Sequence, residues 1–484
     1  MKVGGQRAPE HLIKIDRSIW ACNMGFMAMG KKSDEQVGLF VPYHQMRSAG
    51  HPFYQALNTI LRDAEFDKYA EKQCARFYHP VTGRPGLAPG NYFRSLLVGY
   101  FEGIDSERGI AWRLADSLSL RDFLGLPTEK APPDHSTLSR TRRLIDVETH
   151  REIFTWVLGV LSKNDLLKGK TIGVDATTLE ANAALRSIVR RDDFRSYEEF
   201  LTDLANESGV PTPTREDLAR IDRKRKKKGS NKEWVNPHDP DAQISKMKDG
   251  STHLAHKLEH AVDMDSGAVV GLTLHGGVEG DTSTIEKTLD AADENLKKAR
   301  ETGDASKTRE SVEEAVGDKG YHSKRVMVDL ALAGRRSYIS EPARGRQDWE
   351  GQVAEREAVY ANRRRKKGVR GQRLMRRRGE MLERSFAHVL ETGGMRRTHL
   401  RFHYNIAKRM LIHVAGFNLG LLMRKRFGIG TPRGLQGRVA AAMAALVALI
   451  DLIGDLLIVP GYTQPVDQHT ISDSTWLAPE MVAA

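Results

Sequence analysis

The sequence predicts an α/β protein in which a mixed sheet follows a helical N-terminal region. Residues 50–160 carry apolar side chains at the mixed three- and four-residue spacing that is typical of helices. From about residue 165, runs of small and β-branched apolar residues predict strands instead. Two of these runs, 171–175 and 314–318, end in an aspartate. An open α/β sheet gathers groups at the carboxyl ends of its strands in one crevice, so the same pattern predicts a site.

The order of predicted elements narrows the fold further. A first strand at 168–177 is followed by a hairpin, a long helix and two more strands separated by a helix. The expected bounds are 254–262 and 268–274 for the hairpin, 281–300 for the helix, 312–317 for the strand, 323–333 for the helix and 337–340 for the last strand. This order is the one expected of a ribonuclease-H-like mixed sheet.

Shifts in composition suggest the domain boundaries. We expect an N-terminal arm (1–49), a helical DNA-binding domain (50–160), a catalytic domain (165–425) and a C-terminal tail with an apolar helix (426–484). A charged, mostly helical insertion is expected at about 184–250, inside the catalytic domain. In the tail, the apolar run at 439–450 has twelve residues. A membrane span needs about 20 residues, so no membrane segment is predicted.

Composition restricts the class of protein. The 484 residues carry a net charge of +12, which favours a polyanionic partner such as nucleic acid. Cys22 and Cys74 are the two cysteines, too few for a disulfide framework, and they form no CxxC pair that would suit a zinc ribbon. No continuous apolar leader is present, so we expect a cytoplasmic protein.

Basic residues cluster at a few places that could contact DNA. The block at 363–384 holds eleven Lys or Arg against two acids, too lopsided a ratio for a helix with internal salt bridges. A second cluster occupies 223–228, and a third follows a predicted helix start at Asp134 or Ser136. Neutralising phosphates is the simplest use for such charge, although a solvated basic face is the alternative. The DNA-binding candidates are Arg140, Arg142, Arg143, Arg223, Lys224, Arg225, Lys226, Arg363, Arg364, Arg365, Arg396 and Arg397.

Asp175 and Asp318 are the strand-end aspartates that predict chemistry. Two carboxylates that converge in a crevice repel each other unless a cation lies between them. Mg²⁺ prefers oxygen ligands, and paired metal ions of this kind catalyse phosphoryl chemistry. Either aspartate alone could simply cap the turn that follows its strand. Together with the basic clusters, the pair favours a metal-dependent enzyme that acts on nucleic acid.

Two other motifs offer weaker alternatives. His256, Glu259 and His260 match the H-x-x-E-H pattern of zinc peptidases, which requires a helix. The surrounding residues predict a strand, where both histidines point one way and the glutamate the other. Residues 25–32 approach a phosphate-binding loop but lack its Ser or Thr. Trp234 could stack on an unpaired base, although a packing role is the simpler interpretation.

Several long motifs resemble those of bacterial DDE transposases of insertion sequences. They lie at 173–183, 239–242, 317–321, 383–388 and 393–397, and 92–143 is similar to the helical N-terminal domain of the same group. The resemblance implies a ribonuclease-H-like core, two Mg²⁺ or Mn²⁺ ions, and cutting and joining of transposon DNA ends. It also implies double-stranded DNA as partner, both terminal inverted repeats and target, with a homodimer in the complex. Carried over by residue, the catalytic and metal-binding triad is Asp175, Asp318 and Glu383.

The sequence departs from this family at two places. Some relatives have an Arg four residues before the catalytic Glu and a Lys seven after it, where this chain has Gly379 and Leu390. A Gly-containing stretch is expected after Arg401, where this chain has residues 402–404, Phe-His-Tyr. Leu382, Phe386, Val389 and Leu390 form the apolar stripe of a predicted helix. Glu383 lies at i, i+3, i+7 spacing from residues 386 and 390, which predicts that it borders the buried side of this helix. A non-catalytic DNA-binding descendant of a transposase is therefore the alternative function, and a zinc hydrolase using His256 and His260 is a weaker one.

Overall fold

The computed structural model describes residues 50–435, except for 80, 81, 84, 128, 226–228, 248, 249, 305, 344 and 346. The predicted N-terminal arm, the 25–32 motif, Lys226 and the apolar run at 439–450 lie outside the described residues.

Seven helices form the first third of the described chain. They are α1 (Pro52–Asp63), α2 (Phe66–Cys74), α3 (Pro89–Glu102), α4 (Glu107–Asp116), α5 (Leu118–Leu124), α6 (His135–Leu144) and α7 (Val147–Lys163). The predicted helix start at Asp134 is confirmed, because its carboxylate accepts a 2.7 Å hydrogen bond from the Thr137 amide. Asp146 caps α7 in the same way, through the Thr149 amide at 2.8 Å. These side-chain caps satisfy helix-end amides that have no partner within the helix.

A mixed sheet begins where the helices end. The strands are β1 (Thr171–Glu180), β2 (Val189–Arg190), β3 (Trp234–Val235), β4 (Gln243–Lys246), β5 (Thr252–Asp263), β6 (Val269–Gly276), β7 (Glu314–Gly317) and β8 (Arg336–Ile339). The main sheet has the order β6-β5-β1-β7-β8, with β4 also paired to β5. β5 lies antiparallel to β1 and β6, whereas β1, β7 and β8 are parallel. The mixed α/β class is confirmed, and each predicted strand of the main sheet is present. β1 continues five residues past Asp175, so this aspartate lies within its strand and not at its end, where the sequence predicted it.

The remaining helices cover the sheet and fill the predicted insertion. They are α8 (Tyr197–Glu207), α9 (Arg215–Lys224), α10 (Asp281–Thr302), α11 (Lys324–Leu332), α12 (Val353–Lys367), α13 (Val369–Phe386) and α14 (His403–Phe427). Alternation along β1 sends Ile172 and Val174, both fully buried, to one face of the sheet. Gly173 and Asp175 take the opposite face, where α13 packs.

One hydrophobic core joins the N-terminal helices, the main sheet and α14. Buried side chains from α1 to α7 belong to the same cluster as those of β1, β5, β6 and α10. The helix that starts at His403 is long and apolar enough to cross a membrane, but 94% of its most apolar window is buried inside the protein. It packs against α3 and α7, so it serves here as a core helix.

The insertion has a small core of its own. Trp234 is 2% exposed and packs edge-on against Tyr197 and Phe200, with ring centroids 5.1 and 5.2 Å away. The packing role for this tryptophan is therefore confirmed, and the buried ring has no face available for a nucleobase.

Candidate active site

Asp175 and Asp318 are brought together by the register of two parallel strands. β1 and β7 pair from Thr171 opposite Glu314 to Gly173 opposite Val316. Continued for two more residues, this register aligns Asp175 with Asp318. Neighbouring strands lie about 4.8 Å apart, so the two carboxylates face the same short stretch of the crevice. The sequence-based expectation that they converge agrees with this arrangement.

A guanidinium from α13 lies between the two carboxylates. Arg378 Nη2 is 3.2 Å from Asp175 Oδ2 and 3.8 Å from Asp318 Oδ2. The arginine side chain is 12% exposed, and its Nε is buried without a hydrogen-bond partner among the described residues. The carboxylates themselves are more open, at 26% and 42% exposed. The site is therefore one where two acids share a single cation.

The pKa of Asp175 is raised above its ordinary value of 3.8. Burial is the largest cause, and the nearby carboxylates of Asp318 and Asp281 raise the pKa further. The Arg378 guanidinium and a hydrogen bond from the Ala176 amide oppose the shift. A carboxylate held in this way is stabilised by any added positive charge, which is the electrostatic condition for binding a cation.

Asp281 is a third carboxylate at this site that the sequence analysis overlooked. It is the first residue of α10, and a Cβ built at Gly320 would collide with its Oδ2 while lying 3.1 Å from Asp318 Oδ1. The turn at Gly320 thus admits two carboxylates at once. In the sequence, Asp281 follows the predicted hairpin and opens the predicted helix, so the pattern at this position indicated only a helix start.

Lys257 and Glu259 form the buried floor beside Asp281. Lys257 Nζ lies 2.6 Å from Asp281 Oδ1 and 3.5 Å from Glu259 Oε1. Glu259 also accepts hydrogen bonds from the hydroxyls of Thr284 and Tyr321, at 3.0 and 2.7 Å, and from that of Thr288. Its oxygens are fully used, so we assign Glu259 a structural role.

Small side chains allow α13 to lie close to β1. A Cβ at Gly173 would stand 2.7 Å from Met264 Sδ and 3.2 Å from Leu382 Cδ1, both of which are fully buried. Further along the helix, Ser385 Oγ lies 3.1 Å from Nδ1 of His260, the residue paired with Asp175 across β1 and β5. This close packing places Arg378 over the carboxylates.

The expectation that Glu383 borders the buried side of its helix is wrong. Glu383 is exposed, whereas Leu382, Val389 and Leu390 of the predicted stripe are buried, as is Ser385. The Glu383 carboxylate lies along its own helix, 3.9 Å from the position of a Cβ at Gly379. Among the described residues, no contact joins it to Asp175 or Asp318, and no three His, Cys, Asp or Glu side chains form a ready metal site.

Comparison with known proteins gives one match. Residues 41–144 match the model of the family described as Transposase domain (DUF772), which extends over α1 to α6. The match supports a transposase family for this chain. No curated protein matches it. The matched segment ends with α6, whose last turn holds two of the basic residues predicted to bind DNA.

Most of the basic residues proposed to contact DNA in such a transposase lie on the surface. The exposed ones are Arg140, Arg143, Arg223, Lys224, Arg364, Arg396 and Arg397. Of these, Arg396 is paired with Glu391 and Arg397 lies 3.6 Å from Glu180.

Four other predicted DNA contacts are engaged within the protein. Arg142 is the clearest correction, because its guanidinium is 11% exposed and binds Glu107 and Asn405, each at 2.6 Å. The other three are also engaged: Arg225 with Asp222 and Tyr197, Arg363 with both oxygens of Glu341, and Arg365 with Ser337. These side chains hold elements together instead of offering free charge.

The H-x-x-E-H pattern lies on β5, as the sequence predicts, and its members diverge. His256 bonds with Asp239 and His403, at 3.3 and 3.0 Å. His260 instead faces Ser385, and burial lowers its pKa to about 3. With Glu259 on the opposite face of the strand, the three groups cannot share one zinc ion.

Proposed function

We propose that this protein is a metal-dependent DDE transposase that cuts and joins the DNA ends of an insertion sequence. The observation that carries the proposal is the convergence of Asp175, on β1, and Asp318, directly after the neighbouring parallel strand β7, on the single guanidinium of Arg378. The strand order, three antiparallel strands and then two parallel ones, supports a ribonuclease-H-like core. The match of α1 to α6 to a transposase domain supports the same assignment.

The carboxylates at this site fit a hard divalent cation. Asp175 and Asp318 would hold Mg²⁺ or Mn²⁺, two ions in the proposed mechanism, with Glu383 or Asp281 as a further ligand. Bound metal supplies an activated hydroxyl nucleophile and stabilises the leaving oxygen at a phosphodiester. The chain's own contribution is to hold Asp175 in a partly buried position, to balance its charge with Arg378, and to align the DNA backbone along the exposed arginines. The proposed partners are terminal repeat and target duplexes, bound by a homodimer in the cytoplasm.

Strand cleavage of the chain's own flanking DNA tests the proposal. The substrate is a plasmid that carries the gene with its flanking genomic sequence, incubated with Mg²⁺ or Mn²⁺ and analysed by gel electrophoresis. Asp175→Asn and Asp318→Asn should each lower cleavage by roughly 10³-fold, because several kcal/mol of charge stabilisation is lost, while gel-shift binding of the same DNA persists. Asp329→Asn, a half-buried aspartate on α11 that pairs with Arg325, is the matched control and should cleave normally. Full cleavage by the Asp175 variant would refute the assignment.

A non-catalytic DNA-binding protein derived from a transposase is the second candidate. The position of Glu383, exposed and without a described contact to the aspartate pair, favours it. In that case the unaltered protein binds the plasmid DNA, but no cleavage appears with either metal.

A further inference from the structure

The segment that leads from α13 into the first turn of α14 displays two stacked aromatic rings on the protein surface. Phe402 is 36% exposed and Tyr404 53% exposed. Their ring centroids are 5.7 Å apart, and their planes differ by 18°. A single exposed aromatic side chain is ordinary, but a stacked pair presents a flat apolar face of the kind that binds partners.

The backbone holds these rings in place at an energetic cost. Phe402 has φ 68° and ψ 135°, a conformation that favours glycine. Two aspartates of the 239–242 motif stabilise it: Asp239 Oδ1 accepts from the Phe402 amide at 3.1 Å, and Asp241 Oδ2 accepts from the His403 amide at 2.8 Å. The rings are therefore held in place by two partly buried backbone hydrogen bonds.

Positive charge with little compensation lies beside the rings. Arg401 donates one hydrogen bond, of 3.4 Å, to the Asn182 carbonyl and forms no ion pair within the described part of the chain. Arg397 is 58% exposed and 3.6 Å from the Glu180 carboxylate. Both arginines line a cavity of about 240 Å³ with Asn182 and Asn236, whose side-chain amides already donate hydrogen bonds within the protein. The two guanidiniums are therefore the donors in this lining that suit phosphate oxygens.

Residues 396–404, which we call the aromatic loop and which include the first two residues of α14, are tied to the strand that carries Asp175. The Thr398 amide donates a 3.0 Å hydrogen bond to the carbonyl of Glu180, the last residue of β1. Five residues separate Glu180 from Asp175, a distance of about 17 Å along an extended strand. A DNA strand held at the carboxylates could therefore continue to the aromatic loop.

We propose that residues 396–404, the aromatic loop, bind unpaired nucleotides of single-stranded DNA. A base stacks on the Phe402–Tyr404 pair, and Arg397 and Arg401 bind the adjoining phosphates. Every nucleobase has a face that can stack on an aromatic ring, so such binding tolerates any sequence. The inference rests on the proposed DNA-acting function and adds to it a preference for unpaired strands.

Fluorescence anisotropy with two labelled probes tests the inference on the full chain. The probes are a 20-nucleotide oligo(dT) and a 20-base-pair duplex. The double variant Phe402→Leu/Tyr404→Leu keeps apolar bulk but removes both rings. We expect its affinity for oligo(dT) to fall roughly 10- to 100-fold, because stacking on an aromatic ring contributes strongly per base, while duplex affinity changes less than about twofold.

Two further variants make the result specific to the rings. Phe402→Trp/Tyr404→Trp should restore oligo(dT) binding, because indole also stacks on bases. Trp112→Leu removes an aromatic ring on α4 that is 66% exposed and should leave oligo(dT) binding unchanged. Unchanged oligo(dT) affinity in the double Leu variant would overturn the inference, as would an equal loss for both probes.

The two proposals fail in distinguishable ways. If the protein cleaves DNA but binds oligo(dT) equally well with and without the rings, the single-strand inference is refuted and the catalytic assignment stands. If oligo(dT) binding depends on the rings but no cleavage occurs, the single-strand inference is supported and the catalytic assignment is refuted.

Discussion

Replacing Arg378 with methionine removes the guanidinium that compensates Asp175 and Asp318. Two unit charges about 4 Å apart interact by about 4 kcal/mol at an effective dielectric constant near 20. Asp318 is 42% exposed, so solvent screens its share, and most of the effect comes from the 3.2 Å contact with Asp175. We expect the variant to lose about 2–3 kcal/mol of unfolding free energy at pH 7.5.

The loss should depend on pH in a defined direction. Burial raises the pKa of Asp175, and Arg378 lowers it, so the variant raises the pKa further above the unfolded value near 3.8. A group with a raised folded-state pKa contributes stability at pH below its unfolded pKa, and that contribution is lost as pH rises through the folded value. The deficit of the variant should therefore be smaller at pH 4.5 than at pH 7.5. Mg²⁺ should restore part of the deficit, since it replaces the missing positive charge.

Urea unfolding followed by tryptophan fluorescence measures this deficit at both pH values, with and without Mg²⁺. Arg384→Met on the same helix is the matched control, because its i,i+4 pair with Glu380 is solvent-exposed and should cost at most about 0.5 kcal/mol. An Arg378→Met deficit that is equal at both pH values and unaffected by Mg²⁺ would refute the electrostatic reasoning.

Three further predictions follow from the packing and charges of the site. Gly173→Ala should destabilise the protein by about 1–3 kcal/mol in urea unfolding because its Cβ would press on buried side chains, whereas Gly345→Ala, with open space around it, should have no such effect. Glu314→Gln should cost about 2 kcal/mol of unfolding free energy at pH 7. Burial raises the pKa of Glu314, but hydrogen bonds from an arginine and a threonine outweigh burial, so the pKa in the folded protein is lowered. The stabilisation is therefore lost as the pH falls below 4.5, where the variant should match the unaltered protein. In the plasmid assay, Asp281→Asn and Glu383→Gln identify the third ligand, and we expect the greater loss of cleavage from Asp281→Asn, since the Asp281 and Asp318 carboxylates both border the turn at Gly320. Cleavage by both variants at the level of the unaltered protein would contradict a third carboxylate ligand.

The parts of the fold that depend on local pattern were predictable from sequence. The strands at 171–180 and 314–317 follow from runs of β-branched and small residues, and the cap at Asp134 from its position before a helical pattern. Because the side-chain period of a strand is two, the pattern also predicts that Asp175 and Gly173 share a face. The convergence of Asp175 and Asp318 then required only a parallel pairing of their strands.

The parts that depend on distant partners were not predictable. Arg142 looked like surface charge on a basic helix, but its guanidinium bonds with Asn405, more than 260 residues away. Arg378 was one of eleven basic residues in a block, and nothing local distinguishes the one that reaches the carboxylates. The apolar stripe around Leu382 was predicted, but Glu383 beside it points outward, because Leu382 fills the space left by Gly173. The resemblance leads us to expect glycine near Phe402, and the positive φ of Phe402 is a backbone conformation that glycine adopts readily.

Binding of Mn²⁺, followed by electron paramagnetic resonance as free ion is lost from solution, tests most directly whether Asp175 and Asp318 form a cation site. The unaltered protein should bind Mn²⁺, and Asp175→Asn or Asp318→Asn should weaken binding at least about tenfold, while Asp329→Asn leaves it unchanged. Arg378→Met should tighten binding, since the guanidinium competes for the same oxygens. Equal Mn²⁺ affinity in the unaltered protein and both active-site variants would contradict the account.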